Sequence, residues 1–221
     1  MLGLTQRIAG IDEAGRGPVI GPLVIAGIVI EPAQENTLVE WGVRDSKQLT
    51  PRRRESLEQR IQQLASQVKV IEVSAKEIDT QRQQKRSLNI LEAQWMAQVL
   101  NRLKWDIAYV DASDVNAERY GRQISAQLKT KNKVVSEHKA DSAYPVVAAA
   151  SIVAKVRRDM RIHELHRNYG DFGSGYPNDP KTRKFLRDWI RTHNTFPDIV
   201  RKTWETARDI RAAHSQQTFR D

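Results

Sequence analysis

Apolar runs and helically spaced apolar positions take turns along most of this chain. Ile8-Ala9-Gly10-Ile11 opens the series and predicts a strand over residues 7–12. Residues 23–30 form an almost unbroken aliphatic run, as expected of a central strand buried on both faces, set apart by Gly21-Pro22. Thr50-Pro51 pairs a hydroxyl N-cap with proline at the first helical position, and a basic helix follows to about Ser66. A third strand is expected over 68–74. Leu88, Leu91, Trp95 and Val99 recur at the helical period within 87–104. A short strand over 107–111 ends in a carboxylate. Tyr120, Ile124 and Leu128 mark another helix, and 133–137 a fifth strand. A helix starting at Pro145 carries Val146, Ala149, Val153, Val156 and Met160 along one side, with small residues 148–151 suited to close packing on a sheet, and Gly170 stops it. Helices then follow from Asp179-Pro180 to about Thr192 and from about Asp198 toward Ala213, with a polar tail after them that frays.

Strands alternate with helices up to about residue 160, and only helices come later. The pattern predicts an α/β sheet domain over 1–160 and a helical C-terminal subdomain over 161–221 packed on it. Neither an internal repeat nor a low-complexity segment interrupts it.

Charge and chemistry sharpen this frame. The 221 residues hold 36 Lys and Arg against 27 Asp and Glu, a net charge of +9 that favours a polyanionic partner such as nucleic acid. Cysteine is absent, which excludes disulfides and thiolate metal sites. No stretch reads as a signal peptide or membrane span, and a soluble cytoplasmic protein is expected.

Four carboxylates stand out by position: Asp12 and Glu13 after the first strand, Asp111 at the end of the 107–111 strand, and Asp141 just before the Pro145 helix. Residues at the carboxyl ends of neighbouring strands converge readily, and a cluster of hard oxygen donors suits Mg²⁺ or Mn²⁺ beside a phosphate. Taken singly, each is equally a cap, a turn or a surface charge. Gly15-Arg16-Gly17 follows at once, combining glycines that admit close backbone approach with an arginine suited to phosphate. One geometric difficulty stands: neighbours on a flat strand face opposite sides, so Asp12 and Glu13 share a site only if the strand bends or ends there.

The motifs Asp12-Glu13-Ala14-Gly15-Arg16-Gly17-Pro18, Asp45-Ser46-Lys47-Gln48-Leu49, Tyr109-Val110-Asp111 and Glu137-His138-Lys139-Ala140-Asp141 come in order along the chain. Ala149-Ala150-Ser151-Ile152-Val153-Ala154-Lys155-Val156 and Gly173-Ser174-Gly175-Tyr176-Pro177 complete the set. Together they resemble ribonuclease HII, the type 2 ribonuclease H family, in its archaeal branch. The resemblance implies a ribonuclease H-like five-stranded mixed sheet flanked by helices. It also implies cleavage of RNA in RNA–DNA hybrids, and of single ribonucleotides embedded in duplex DNA, on the 5′ side of the ribonucleotide, leaving a 3′-hydroxyl and a 5′-phosphate. Asp12, Glu13, Asp111 and Asp141 would hold two Mg²⁺ or Mn²⁺ ions about 3.5–4 Å apart. Gly15, Arg16 and Gly17 would meet the ribose 2′-hydroxyl through their backbone, the group that tells RNA from DNA. Tyr176 would stack on the sugar of the following deoxynucleotide, although its residue type alone is that of a loop aromatic covering apolar surface. Ser46 and Lys47 resemble phosphate contacts, with Asn89 and Ser151 as further candidates for nucleic-acid contact.

Departures matter as well. Many family members carry lysine where this chain has Ala143. His163 and His166 share a helical spacing but lack a third ligand at suitable spacing, so a solvated helix face is the better reading. Gln216-Gln217-Thr218-Phe219 resembles a sliding-clamp-binding peptide without its aromatic pair, which favours an unstructured tail. Family precedent is monomeric. Two other classes stay open on the residues: a DNA-cutting nuclease or transposase on a similar sheet, and a nucleic-acid-binding protein without catalysis.

Overall fold

A computed structural model of the protein describes residues 6–43 and 49–218. Its strands are β1 (Ile8–Ala14), β2 (Leu23–Ile30), β3 (Gln67–Val73), β4 (Ile107–Asp111) and β5 (Lys133–Glu137). Its α-helices are α1 (Glu35–Glu40), α2 (Pro51–Leu64), α3 (Ala75–Gln83), α4 (Leu88–Leu100), α5 (Ala117–Ser125), α6 (Ala140–Ala143), α7 (Pro145–Tyr169), α8 (Pro180–His193) and α9 (Glu205–Thr218). The described residues form two compact units, and each joins segments distant in sequence.

The first unit takes Met1–Ala14, Val24–Ile71 and Ser87–Arg157. Its sheet runs β3-β2-β1-β4-β5, with β1 antiparallel to β2 and parallel to β4, and β4 parallel to β5. This is the expected five-stranded mixed sheet flanked by helices. All eight residues of β2 are buried, as their unbroken apolar run requires. Thr50 caps α2 by accepting the Arg53 amide at 3.3 Å. The small-residue stretch of α7 does what its composition suggests: Ala148, Ala149 and Ala150 are fully buried. The tightest approach lies one turn earlier. A Cβ placed on Gly10 would come within 2.2 Å of the Val146 carbonyl oxygen, so only glycine lets α7 lie this close to β1.

The second unit takes Gly15–Leu23, Glu72–Arg86 and Arg158–Asp221. Its core gathers Val19 and Ile20 with Ile162, Phe172, Leu186 and Val200. A sequence reading places one cut near residue 160; the structure puts the change of unit at Arg158, inside α7, and adds the segments around 15–23 and 72–86. Two expectations about the last helix are corrected here. The last helix starts at Glu205, not near Asp198, because Val200 forms a β-bridge with Ile20 and the Arg201 amide donates to the Val19 carbonyl at 2.8 Å. Helical residues also extend to Thr218 instead of fraying from His214, whose Nε2 lies 3.0 Å from Asn194 Oδ1. Among the described residues, no helix is long and apolar enough to cross a membrane.

Candidate functional site

The carboxyl end of β1 sets the geometry. The β1–β4 register runs through Ile11 opposite Val110, so Asp12 and Asp111 come next on adjacent parallel strands. In-register residues of parallel strands face the same side, which puts these two carboxylates together. Asp111 then organises the third. Its Oδ1 accepts the Ala140 amide at 2.7 Å, fixing the start of the short helix α6 that carries Asp141. Lys139 enters that helix in the left-handed region, at φ 57°.

The electrostatic environment of Asp12 fits this placement. Burial pushes the Asp12 carboxyl up to about 7; the charges of Asp111 and Asp141 add to the rise, while hydrogen bonds from the Ser151 hydroxyl and the Glu13 amide oppose it. The Glu13 amide donates to Asp12 Oδ1 at 2.7 Å. Asp12 and Asp141 are each 5% exposed. Buried carboxylates that repel one another are costly without a cation, and carboxylate oxygens are the donor type that hard divalent cations take. Among the described residues, no three Asp, Glu or His side chains form a ready-made cage for one ion.

The strand does not end at Asp12. β1 stays paired with β2 through Ala14 opposite Val24, so strand geometry alone does not bring the Asp12 and Glu13 side chains to one face. The bend comes one residue later, at Gly15, with φ +91°.

The other residues singled out from the sequence are placed as follows. Ser151 hydrogen-bonds the Asp12 carboxylate. Asn89 Nδ2 donates to Asp114 at 2.8 Å, and Asp114 also accepts Arg119 Nη2 at 2.5 Å. With the Asn116 amide as the largest influence, these bonds pull the Asp114 carboxyl down to about 2, making it an anchor of the loop after β4. Ser46 and Lys47 lie outside the described residues. His166 stacks on Phe172 at 4.0 Å between ring centroids, a packing role.

Within the second unit, the Gly15-Arg16-Gly17 turn and Tyr176 are neighbours. A Cβ on Gly17 would sit 3.4 Å from Tyr176 Cε1. Tyr176 is 43% exposed, and the Arg158 guanidinium lies 5.5 Å from its ring centroid. Its loop is tied down from several directions: the Val19 amide donates to the Gly175 carbonyl at 2.8 Å, the Ser174 amide to Asp179 Oδ2 at 2.6 Å, and the Gly175 amide to Thr182 Oγ1 at 3.0 Å. Gly175 is needed for space, because a Cβ there would lie 2.9 Å from the Ile20 carbonyl oxygen. An aromatic ring held open to solvent beside a glycine turn differs from one covering apolar surface.

Sequence reasoning missed Arg201, Asp79 and Trp204. Arg201 is fully buried, and its guanidinium donates to the carbonyls of Gly21 at 3.0 Å, Arg16 at 2.9 Å and Gly15 at 2.6 Å. Trp204 Nε1 donates to the Gly17 carbonyl at 3.2 Å. No local pattern marks Arg201 among 36 basic residues.

Comparison with known proteins points the same way. The family model described as Ribonuclease HII matches residues 9–207. The chain is 50% identical over 220 residues to Ribonuclease HII of Pyrococcus furiosus, covering 97% of each. The crystal structure of ribonuclease H2 from Pyrococcus horikoshii OT3 superposes with a TM-score of 0.90 at 46% identity, covering 96% of this chain and 100% of that one. The RNase HII of Archaeoglobus fulgidus, solved as a complex with PCNA, gives a TM-score of 0.82 at 45% identity, over 90% of this chain and 95% of that one. With the family model spanning residues 9–207 and a relative 50% identical over 97% of the chain, the chain belongs to the ribonuclease HII family, whose members cleave the RNA of RNA–DNA hybrids.

Proposed function

We propose that this chain cuts RNA–DNA hybrids, and duplex DNA carrying single ribonucleotides, on the 5′ side of the ribonucleotide, leaving a 3′-hydroxyl and a 5′-phosphate. The observation that carries the reading is the meeting of Asp12, Asp111 and Asp141 at one end of the sheet. Asp12, Glu13, Asp111 and Asp141 are the proposed ligands of Mg²⁺ or Mn²⁺. Two such ions, when bound, supply an activated water and stabilise the departing 3′ oxygen. The protein's own part is to hold the donors. Ser151 and the Glu13 amide orient Asp12, and Asp111 fixes the helix start that presents Asp141.

Recognition falls to other residues. Gly15, Arg16 and Gly17 meet the ribose 2′-hydroxyl through backbone groups, and Tyr176 stacks on the sugar of the next deoxynucleotide. The exposed Tyr176 ring beside Gly17 supports this assignment. Ser46 and Lys47 contact phosphates, and the helical C-terminal part contributes the Tyr176 loop. Asn89 and Ser151, held by Asp114 and Asp12 respectively, act on substrate chiefly by positioning their partners. The chain works as a cytoplasmic monomer. Clamp binding through the tail over 216–219, whose Phe219 lies outside the described residues, has thin support, resting on the PCNA complex of the Archaeoglobus fulgidus relative.

The test uses labelled duplexes with one ribonucleotide, a long hybrid or DNA alone, each with Mg²⁺, Mn²⁺ or EDTA. Metal-dependent cutting 5′ to the ribonucleotide is the expected result. Cutting of the all-DNA duplex supports a DNA nuclease instead, and binding without cutting a non-catalytic protein.

A further inference from the structure

Three consecutive carbonyls of the Gly15-Arg16-Gly17 turn are claimed from one side by a single short segment. Arg201 takes those of Gly15 and Arg16 at 2.6 and 2.9 Å, and Trp204 takes that of Gly17 at 3.2 Å. A third guanidinium bond, to the Gly21 carbonyl at 3.0 Å, ties the far end of the same loop. In a trans peptide the C=O and the following N–H point in opposite directions, and no cis peptide occurs among the described residues. The amides of Arg16 and Gly17 therefore point away from Arg201. The next residue, Pro18, has no amide to offer.

The clamp is itself anchored. Asp79 at the middle of α3 is 5% exposed and accepts the Lys202 amide at 2.6 Å, the Thr203 amide at 3.0 Å and the Thr203 hydroxyl at 2.6 Å. Residues on both sides of the clamp are thus fixed: Asp79 holds 202–203, and the Val200–Ile20 bridge holds 200. A rigid planar fork with several donors spans three carbonyls in a way that the single ammonium of lysine does not match.

We propose that Arg201 is a positioning residue for ribose recognition. By drawing the turn's carbonyls inward, it presents the Arg16 and Gly17 amides as a preformed donor pair for the 2′-oxygen of a ribonucleotide. The inference rests on the reading of this turn as the 2′-hydroxyl sensor. Donors fixed before binding lose less freedom when the ligand arrives, so the clamp acts on selectivity for RNA more than on general duplex affinity.

The test compares the full chain with its Arg201→Lys variant. Binding is measured in Ca²⁺ to duplexes that differ only by one ribonucleotide, and hydrogen exchange is followed at the Val19, Ile20 and Gly21 amides. The expected result is at least a tenfold loss of ribonucleotide preference, at least a tenfold rise in exchange at those amides, and all-DNA affinity within about threefold of the parent. A folded Arg201→Lys protein with unchanged preference overturns the proposal, as does a loss that is equal for both duplexes. Should Arg201→Lys fail to fold, Trp204→Phe decides: it removes the bond to Gly17 and keeps an aromatic ring under the Arg82 and Arg201 guanidiniums, and about a threefold loss of preference is expected, with no change overturning the proposal. A parent protein without ribonucleotide preference instead contradicts the reading of the turn, and this inference falls with it.

Discussion

The carboxylate end of the sheet and the Gly15-Arg16-Gly17 turn are consecutive in sequence and are built by opposite means. At the sheet end, local rules do most of the work. Register on parallel strands aligns Asp12 with Asp111, and one side-chain-to-amide bond brings in Asp141. At the turn, almost nothing is local. Its carbonyls are held by Arg201 and Trp204, roughly 185 residues away, and its neighbour Tyr176 is fixed by a loop tied to Val19, Asp179 and Thr182. In the proposed function, the comparison separates an apparatus of charge, for chemistry, from one of backbone geometry, for selectivity.

Variants can break that division. The largest effect is expected for Asp12→Asn: cleavage should fall by roughly 10³-fold or more, the equivalent of several kcal/mol of lost charge stabilisation, in single-turnover assays. Next comes Tyr176→Ala. Loss of a stacking ring worth about 1–3 kcal/mol should slow cleavage at a lone ribonucleotide by roughly 10–100-fold, while plain-duplex binding changes little. Equal losses in both would place Tyr176 in general binding. Ser151→Ala removes one hydrogen bond to a carboxylate and should reduce kcat by about tenfold, with KM nearly unchanged. A larger shift in KM than in kcat would mark Ser151 as a substrate contact.

The smallest effect sharpens the geometric side. The Ser174 amide and hydroxyl pull the Asp179 carboxyl from 3.8 down to about 2. A group depressed in the folded state stabilises above its unfolded value and loses that contribution as pH falls through the folded one. The Tm difference between the parent and Asp179→Asn should be constant above about pH 5 and shrink between pH 4 and pH 2. A difference that grows on acidification would show that Asp179 does not hold the loop.

The same contrast explains what could be read from residues alone. Strands, the Thr50 cap and the Gly170 stop follow from periodicity and local chemistry, and all appear in the structure. Strand position singles out Asp12 and Asp111, whereas Asp141 stands out only by preceding the Pro145 helix and lies in the short helix α6. The difficulty with Asp12 and Glu13 was legible too, and it stands: β1 stays paired through Ala14, and the turn at Gly15 comes after both residues. Helix α3 and its buried Asp79 escaped, and so did the irregular stretch before α9. Each is defined by partners more than 120 residues distant: Asp79 by 202–203, and Arg201 by 15–21. A helical spacing near Asp198 gave way there to backbone pairing with Val19 and Ile20.

The division between chemistry and selectivity is tested most directly by Asp111→Asn, assayed side by side for cleavage and for binding preference on a duplex with one ribonucleotide. Cleavage should fall by roughly 10³-fold or more, while preference over the all-DNA duplex stays within about twofold of the parent, because the turn and its clamp remain intact. Normal turnover, or a preference lost together with cleavage, would contradict the account.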